Sequence, residues 1–218
     1  MMRKRNLMPV VLALLLASLQ AEVVDRTIAV VNNHVLTWSD LDEQMRFEAL
    51  ENGHALNTLG ESERRAAFEH LVQYSILRDQ MQGTPPATDS EVEARIGELR
   101  DALQMGRDDS RWLATLKLYE ISANELTSLV RNQIEILRFM EFRVRPLVTV
   151  SRTEVEDYYT STLAPRVIAQ GQTPEALEAL TPKIRELLVE QKMNQEMEKW
   201  LKTLREQSRV QVLWEGVR

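Results

Sequence analysis

Three histidines (His34, His54 and His70) and a short acidic run (Glu154, Glu156 and Asp157) are the side chains best suited to move a proton or hold a metal. Their spacing argues against both roles. The histidines show no metal-ligand spacing with one another, and there is no cysteine to complete a ligand set. The carboxylates cluster at the start of a predicted helix, where unpaired N–H groups and the helix dipole favour negative charge, so they read as a solvated face and not as an acid–base pair. No glycine-rich phosphate loop and no G-x-S-x-G occur, and the serines fall mostly at helix caps. No catalytic residue, metal or cofactor is assigned. What remains is the chemistry of contact, for which adaptable methionine and flat aromatic rings suit a surface that is not selective for one sequence. The candidates are Met45, Phe47, Trp112, Leu116, Tyr119, Phe139, Met140, Phe142, Tyr158 and Tyr159. Each competes with a role in the core, where apolar residues at helical spacing mostly lie. Phe142 lies off the main apolar stripe near a helix end, and Tyr158 and Tyr159 flank an irregular connector, so these three are favoured.

The elements that position these residues begin after an address. Residues 1–21 carry Arg3, Lys4 and Arg5, an apolar run from Leu7 to Leu19, and Gln20-Ala21, the layout of a signal peptide cleaved near Ala21. The run is shorter than the roughly 20 residues of a spanning helix and contains Pro9. A soluble exported protein is therefore expected, with no stable membrane insertion after cleavage. Loss of the three basic residues deepens the net charge from −6 to −9. Such an acidic chain is a poor ligand for nucleic acid or an anionic membrane, both of which draw on clustered Lys and Arg.

Thr27–Val31 is a β-rich run, Asn32-Asn33 tolerates a tight turn, and Val35-Leu36 begins a return strand. Ser39 is the expected cap of a first helix running to about Leu50 and stopping near Gly53. A second helix spans about Ser62–Gln82 and ends before Pro85-Pro86. Thr88/Glu91, Ser122/Glu125 and Ser151/Glu154 form three capping boxes, and Asp109 is placed as the cap of the helix holding Trp112. The Ser122 helix carries Leu126, Val130, Ile134, Leu137, Met140 and Val144 as one apolar face up to Pro146. Residues 160–182 read as a connector with one short helical turn after Pro174. Pro182 is the natural first residue of a last helix reaching about Gln207, with Ile184, Leu187, Leu188, Met197, Trp200, Leu201 and Leu204 inward. Val210–Trp214 alternates like a strand and is the mate predicted for Thr27–Val31. The fold class is thus mainly α, a multi-helix core with a small β element that pairs an N-terminal hairpin and a C-terminal strand.

In this order the segments IAVVNNHVLTWSDL and VTVSRTEVEDYY resemble the SurA-type periplasmic chaperones, the trigger-factor/SurA peptide-binding superfamily. The first is similar to that family's opening strand, turn and helix cap. The second is similar to the segment that leads from the chaperone domain into a parvulin-type prolyl isomerase domain. The resemblance implies residues 22–150 as the N-terminal part of a chaperone domain and residues 182–218 as the helix and strand that complete it. Between them, residues 151–181 form a helix and connector where a parvulin domain is expected. The part of it between Tyr159 and the last helix is well short of the roughly 50 residues a small domain needs, and the last histidine is His70 whereas parvulin-type isomerases place histidines in the active site, so the isomerase is expected to be missing.

The resemblance therefore implies an ATP-independent periplasmic holdase for unfolded outer-membrane or other envelope proteins. Two alternatives stand beside it: a periplasmic adaptor that uses the same groove for one dedicated partner, and a residual prolyl isomerase. The two chain ends can close within one molecule or swap between two in a homodimer, with the connector around Gly171 as hinge.

Overall fold

The computed structural model describes residues 25–106 and 108–215, so the signal-peptide assignment to residues 1–21 lies outside the described residues. Strand β1 (Thr27–Val31) is apolar and β-branched, and it turns through Asn32-Asn33 into β2 (His34–Thr37). Asn32 takes left-handed backbone at φ 52°, a conformation that asparagine tolerates.

Helix α1 (Trp38–Asn52) starts earlier than expected. Its cap is Thr37 and not Ser39: the Thr37 N–H and hydroxyl donate to the Asp40 carboxylate at 2.8 and 2.9 Å, and the Asp40 N–H returns a bond to Thr37 Oγ1 at 3.3 Å. The threonine ends a strand and so already has the extended backbone a cap requires. Gly53 closes α1 at φ 64°, where an added Cβ would also meet Leu103 at 3.4 Å.

Helix α2 (Glu61–Arg78) stops short of Gln82. Helices α3 (Asp89–Ala102) and α5 (Ala123–Val144) begin with the expected boxes at Thr88/Glu91 and Ser122/Glu125. Helix α4 (Asp109–Leu118) is capped by Asp108 and not Asp109, because the Asp108 side chain accepts the Arg111 N–H at 3.0 Å. On α5, Leu137 lies outside the buried face and is 53% exposed, while Ile136, Phe139 and Met140 are buried. The last helix packs on their side of α5 and turns Leu137 outward.

The connector is more helical than expected. Helix α6 (Arg152–Tyr158), opened by the Ser151/Glu154 box, runs through a π-helical turn at Tyr159–Leu163 into α7 (Ala164–Ala169). Helix α8 (Leu177–Gln207) starts before Pro182, which lies inside it. Proline removes the donor that the Glu178 carbonyl would take, but both residues are exposed, where solvent can satisfy a carbonyl that has lost its donor. Of the seven residues expected to face inward on α8, Ile184 alone is buried, Leu188, Met197, Trp200, Leu201 and Leu204 are half-buried, and Leu187 is exposed because the helix packs on one narrow side only. The helix lies on the outside of the molecule and is held by α6, α5 and α2 in turn.

The chain then returns as β3 (Val210–Val212), antiparallel to β1, in a sheet of order β2-β1-β3. The fold is mainly α with this small antiparallel sheet joining the two chain ends. Its core has three parts: sheet, α1, α2 and Trp214; the end of α1 with α3, α4 and the start of α5; and the ends of α2 and α5 with α8.

Candidate functional site

A cleft of about 650 Å³ opens between β2, α1, α2 and α5. Three helices each turn one face to it at the spacing i, i+3, i+4, i+7, which lies on one side of a helix. On α1 these are Asp40, Glu43, Gln44 and Phe47; on α2, Leu71, Tyr74, Ser75 and Arg78; on α5, Leu129, Asn132, Gln133 and Ile136. The fourth wall is Asn33–Leu36 of the hairpin. Met81, Thr84 and Glu135 complete the rim.

The lining mixes apolar and polar groups in a fixed arrangement. Gln44 and Ser75 are buried polar residues. Gln44 Nε2 donates to Glu48 at 2.7 Å, and Gln133 Nε2 donates to Glu51 at 2.9 Å. Glu48 also pairs with His70 Nδ1 at 2.8 Å, which raises the His70 pKa above the usual imidazole value. Burial, with the nearby Glu48 and Glu51 carboxylates, raises the Tyr74 phenol. Glu43 makes no ion pair among the described residues, and burial with the neighbouring Glu125 charge raises its carboxyl. The floor is therefore pre-set by carboxylate–amide bonds, while Leu71, Tyr74, Leu129 and Asn132 offer surface to an occupant. Such a hollow can hold an extended chain by mixed contacts; it brings together no nucleophile–base pair within hydrogen-bond reach.

Only Phe47 of the ten contact candidates lines this cleft. Phe47, Trp112 and Leu116 are buried in the second core cluster, with Tyr119 half-buried against it. Met45 packs half-buried on the sheet cluster, and Phe139 and Met140 are buried in the third, where the Phe139 ring meets Trp200 at 5.8 Å. Tyr158 and Tyr159 are half-buried, and the Tyr159 hydroxyl donates to the Glu175 carbonyl at 2.7 Å, pinning the turn before α8. Phe142 is the open one, 78% exposed on α5. The structure thus does not gather the ten on one surface. The signal that finds the cleft from sequence is different: amide and hydroxyl residues at core-facing helical positions, namely Gln44, Ser75 and Gln133.

No known protein-family model matches this chain, and no curated protein matches it. Among the described residues, no helix is long and apolar enough to cross a membrane.

Proposed function

We propose that this protein is an ATP-independent holdase that binds extended segments of unfolded outer-membrane or other envelope proteins in the periplasm, and that it is not a prolyl isomerase. The observation that carries the reading is the cleft, open to solvent and lined by one mixed face from each of three helices. Leu71, Tyr74, Met81 and Leu129 offer apolar surface that tolerates varied side chains. The exposed Asn132 amide both donates and accepts, so it serves a peptide backbone whatever its sequence. The exposed Phe142 and the resemblance of the opening and VTVSRTEVEDYY segments to SurA-type chaperones support the same reading.

The test is suppression of aggregation of an unfolded outer-membrane β-barrel protein by residues 22–218 without ATP, with a proline-peptide isomerisation assay on the same sample. Suppression without isomerisation is expected. Failure to suppress, with tight saturable capture of one folded protein, overturns the holdase in favour of the dedicated-partner adaptor. Faster cis/trans exchange overturns the assignment of residues 151–181 as a mere connector.

A further inference from the structure

The cleft is bordered by the free edge of a sheet. Asn33, His34, Val35 and Leu36 all line it. Asn33 belongs to the turn and the other three to β2; consecutive strand side chains point to opposite faces, so a hollow reached by three in a row lies along the strand's edge and not over one face.

The register then says which backbone groups face it. Asn32 N–H donates to the Arg209 carbonyl at 2.7 Å and Leu213 N–H to the Ile28 carbonyl at 2.8 Å, so beyond the bulge at Ile28 the backbone of Val30 turns towards β3 and that of Ala29 and Val31 towards β2. Val31 opposes His34 and Ala29 opposes Leu36. His34 and Leu36 therefore spend their backbone groups on β1, and Val35 points its N–H and C=O the other way. The Thr37 N–H is aimed outward like that of Val35 but is taken by the Asp40 carboxylate. Val35 keeps a donor and an acceptor on an exposed residue at the cleft wall.

We propose that an extended segment of an unfolded polypeptide adds to β2 as a fourth strand, paired at Val35, with alternate side chains in the cleft and a lysine or arginine drawn to Glu43. This rests on the holdase reading and specifies how the client is held. Backbone pairing gives affinity that is indifferent to sequence, which a client-tolerant protein needs. Glu43 supplies the bias, because it is the cleft carboxylate left without an ion pair, capping bond or amide bond among the described residues. Asp40 is held by Thr37 and Glu135 by the Ala87 N–H.

The probe is a fluorescein-labelled decapeptide of alternating threonine and valine with one central arginine, read by anisotropy against residues 22–218. A second version carries N-methyl groups on alternate amides, which blocks one hydrogen-bonding edge. Val35→Pro removes the outward N–H at an edge position where proline is accepted. We expect it to weaken the parent probe by about tenfold, the cost of a lost backbone bond. The methylated probe should bind at least about tenfold more weakly than the parent, and saturation with the parent should slow exchange of the Val35 amide hydrogen in the wild-type protein. Glu43→Gln should bring the arginine probe and its glutamine counterpart to equal affinity. Equal binding of parent and methylated probes, or an unchanged Val35 amide under saturation, overturns strand addition whether or not Val35→Pro folds. A parent probe that does not bind wild type overturns it too. If aggregation is still suppressed in any of these cases, the holdase reading survives without it.

Discussion

Asp79 is the residue on which the hairpin tip is fastened. Its carboxylate accepts Asn32 Nδ2 and meets His34 Nε2, each at 2.7 Å, while Asn32 Oδ1 accepts the Arg209 N–H at 3.0 Å. One side chain past α2 thus holds the β1–β2 turn, and through Asn32 the start of β3. The bond from Asn32, then that from His34, depresses the Asp79 carboxyl below its ordinary 3.8. A depressed carboxyl stabilises the fold above its unfolded pKa, and that contribution is lost as pH falls through the folded value. We expect Asp79→Asn to cost about 1–2 kcal/mol at pH 7 in urea unfolding, the worth of a hydrogen bond to a charged group. The gap to wild type should shrink steadily below about pH 4; a gap that is constant with pH would show that the carboxylate charge is irrelevant. His70 works with the opposite sign. Its bond to Glu48 raises its pKa above 6.5, so the pair's contribution is full at acid pH and disappears as pH rises through the raised value. The two side chains are partly open, and a double-mutant cycle of His70→Ala and Glu48→Gln should give only about 0.2–1 kcal/mol at pH 5.5 and nothing at pH 9.

At the scale of elements, helix starts are the most local signal the chain carries. Thr88/Glu91, Ser122/Glu125 and Ser151/Glu154 are legible in sequence because each box is complete within four residues, and all three form. Backbone and hydroxyl bonds from Thr88, with Arg138, hold the Glu91 carboxyl at about 2; Lys192 and Ser151 hold Glu154 at about 2. Both should titrate near pH 2 by carboxyl-carbon NMR, well below an ordinary glutamate. Ser122→Ala should lower stability by about 1 kcal/mol. The cleft was not legible in the same way. Its walls are faces such as Leu71, Tyr74, Ser75 and Arg78, which mix polar with apolar, so hydrophobic periodicity picks out Leu71 and Ser75 as part of a core stripe and leaves Tyr74 and Arg78 outside it. Most of the aromatic candidates have the reverse property. They are spent on core, as Phe139 is against Trp200, because apolar side chains at helical spacing report burial and not exposure. Pro182 misled for a related reason: a proline suits a first turn, but Ala176 already has the extended backbone that starts α8 and Pro182 faces water. Trp200→Ala, which removes the ring joining α8 to α5, should cost about 2–3 kcal/mol in thermal or urea unfolding, since the site is half-buried.

For the whole molecule the question is whether three core clusters make one cooperative unit. The helices answer it, because each cluster shares an element with another. Helix α1 places Leu41 in the sheet cluster and Phe47 and Leu50 in the second. On α2, Ile76 belongs to the sheet cluster and its neighbour Leu77 to the third, and α5 runs from Val130 in the second to Ile136 in the third. The sheet then ties the first strand to the last, with Trp214 edge-on to Trp38 at 5.4 Å and to Phe68 at 5.9 Å. None of α1, α2 and α5 can leave one cluster without straining a second, and β3 cannot leave without baring Ile28 and Phe68. The four tryptophans are natural reporters: Trp38 and Trp214 watch the sheet, Trp112 the second cluster and Trp200 the third. Variants that keep Trp214, Trp112 or Trp200 as the sole tryptophan, the others replaced by phenylalanine, should unfold in urea with transitions that superimpose on far-UV circular dichroism of the same sample after each is normalised to its own stability. A Trp112 transition that precedes circular dichroism would instead make α3 and α4 a separately melting unit. The cleft would then lose its α5 wall before the sheet opened, because Leu126 and Val130 anchor that helix in the same cluster.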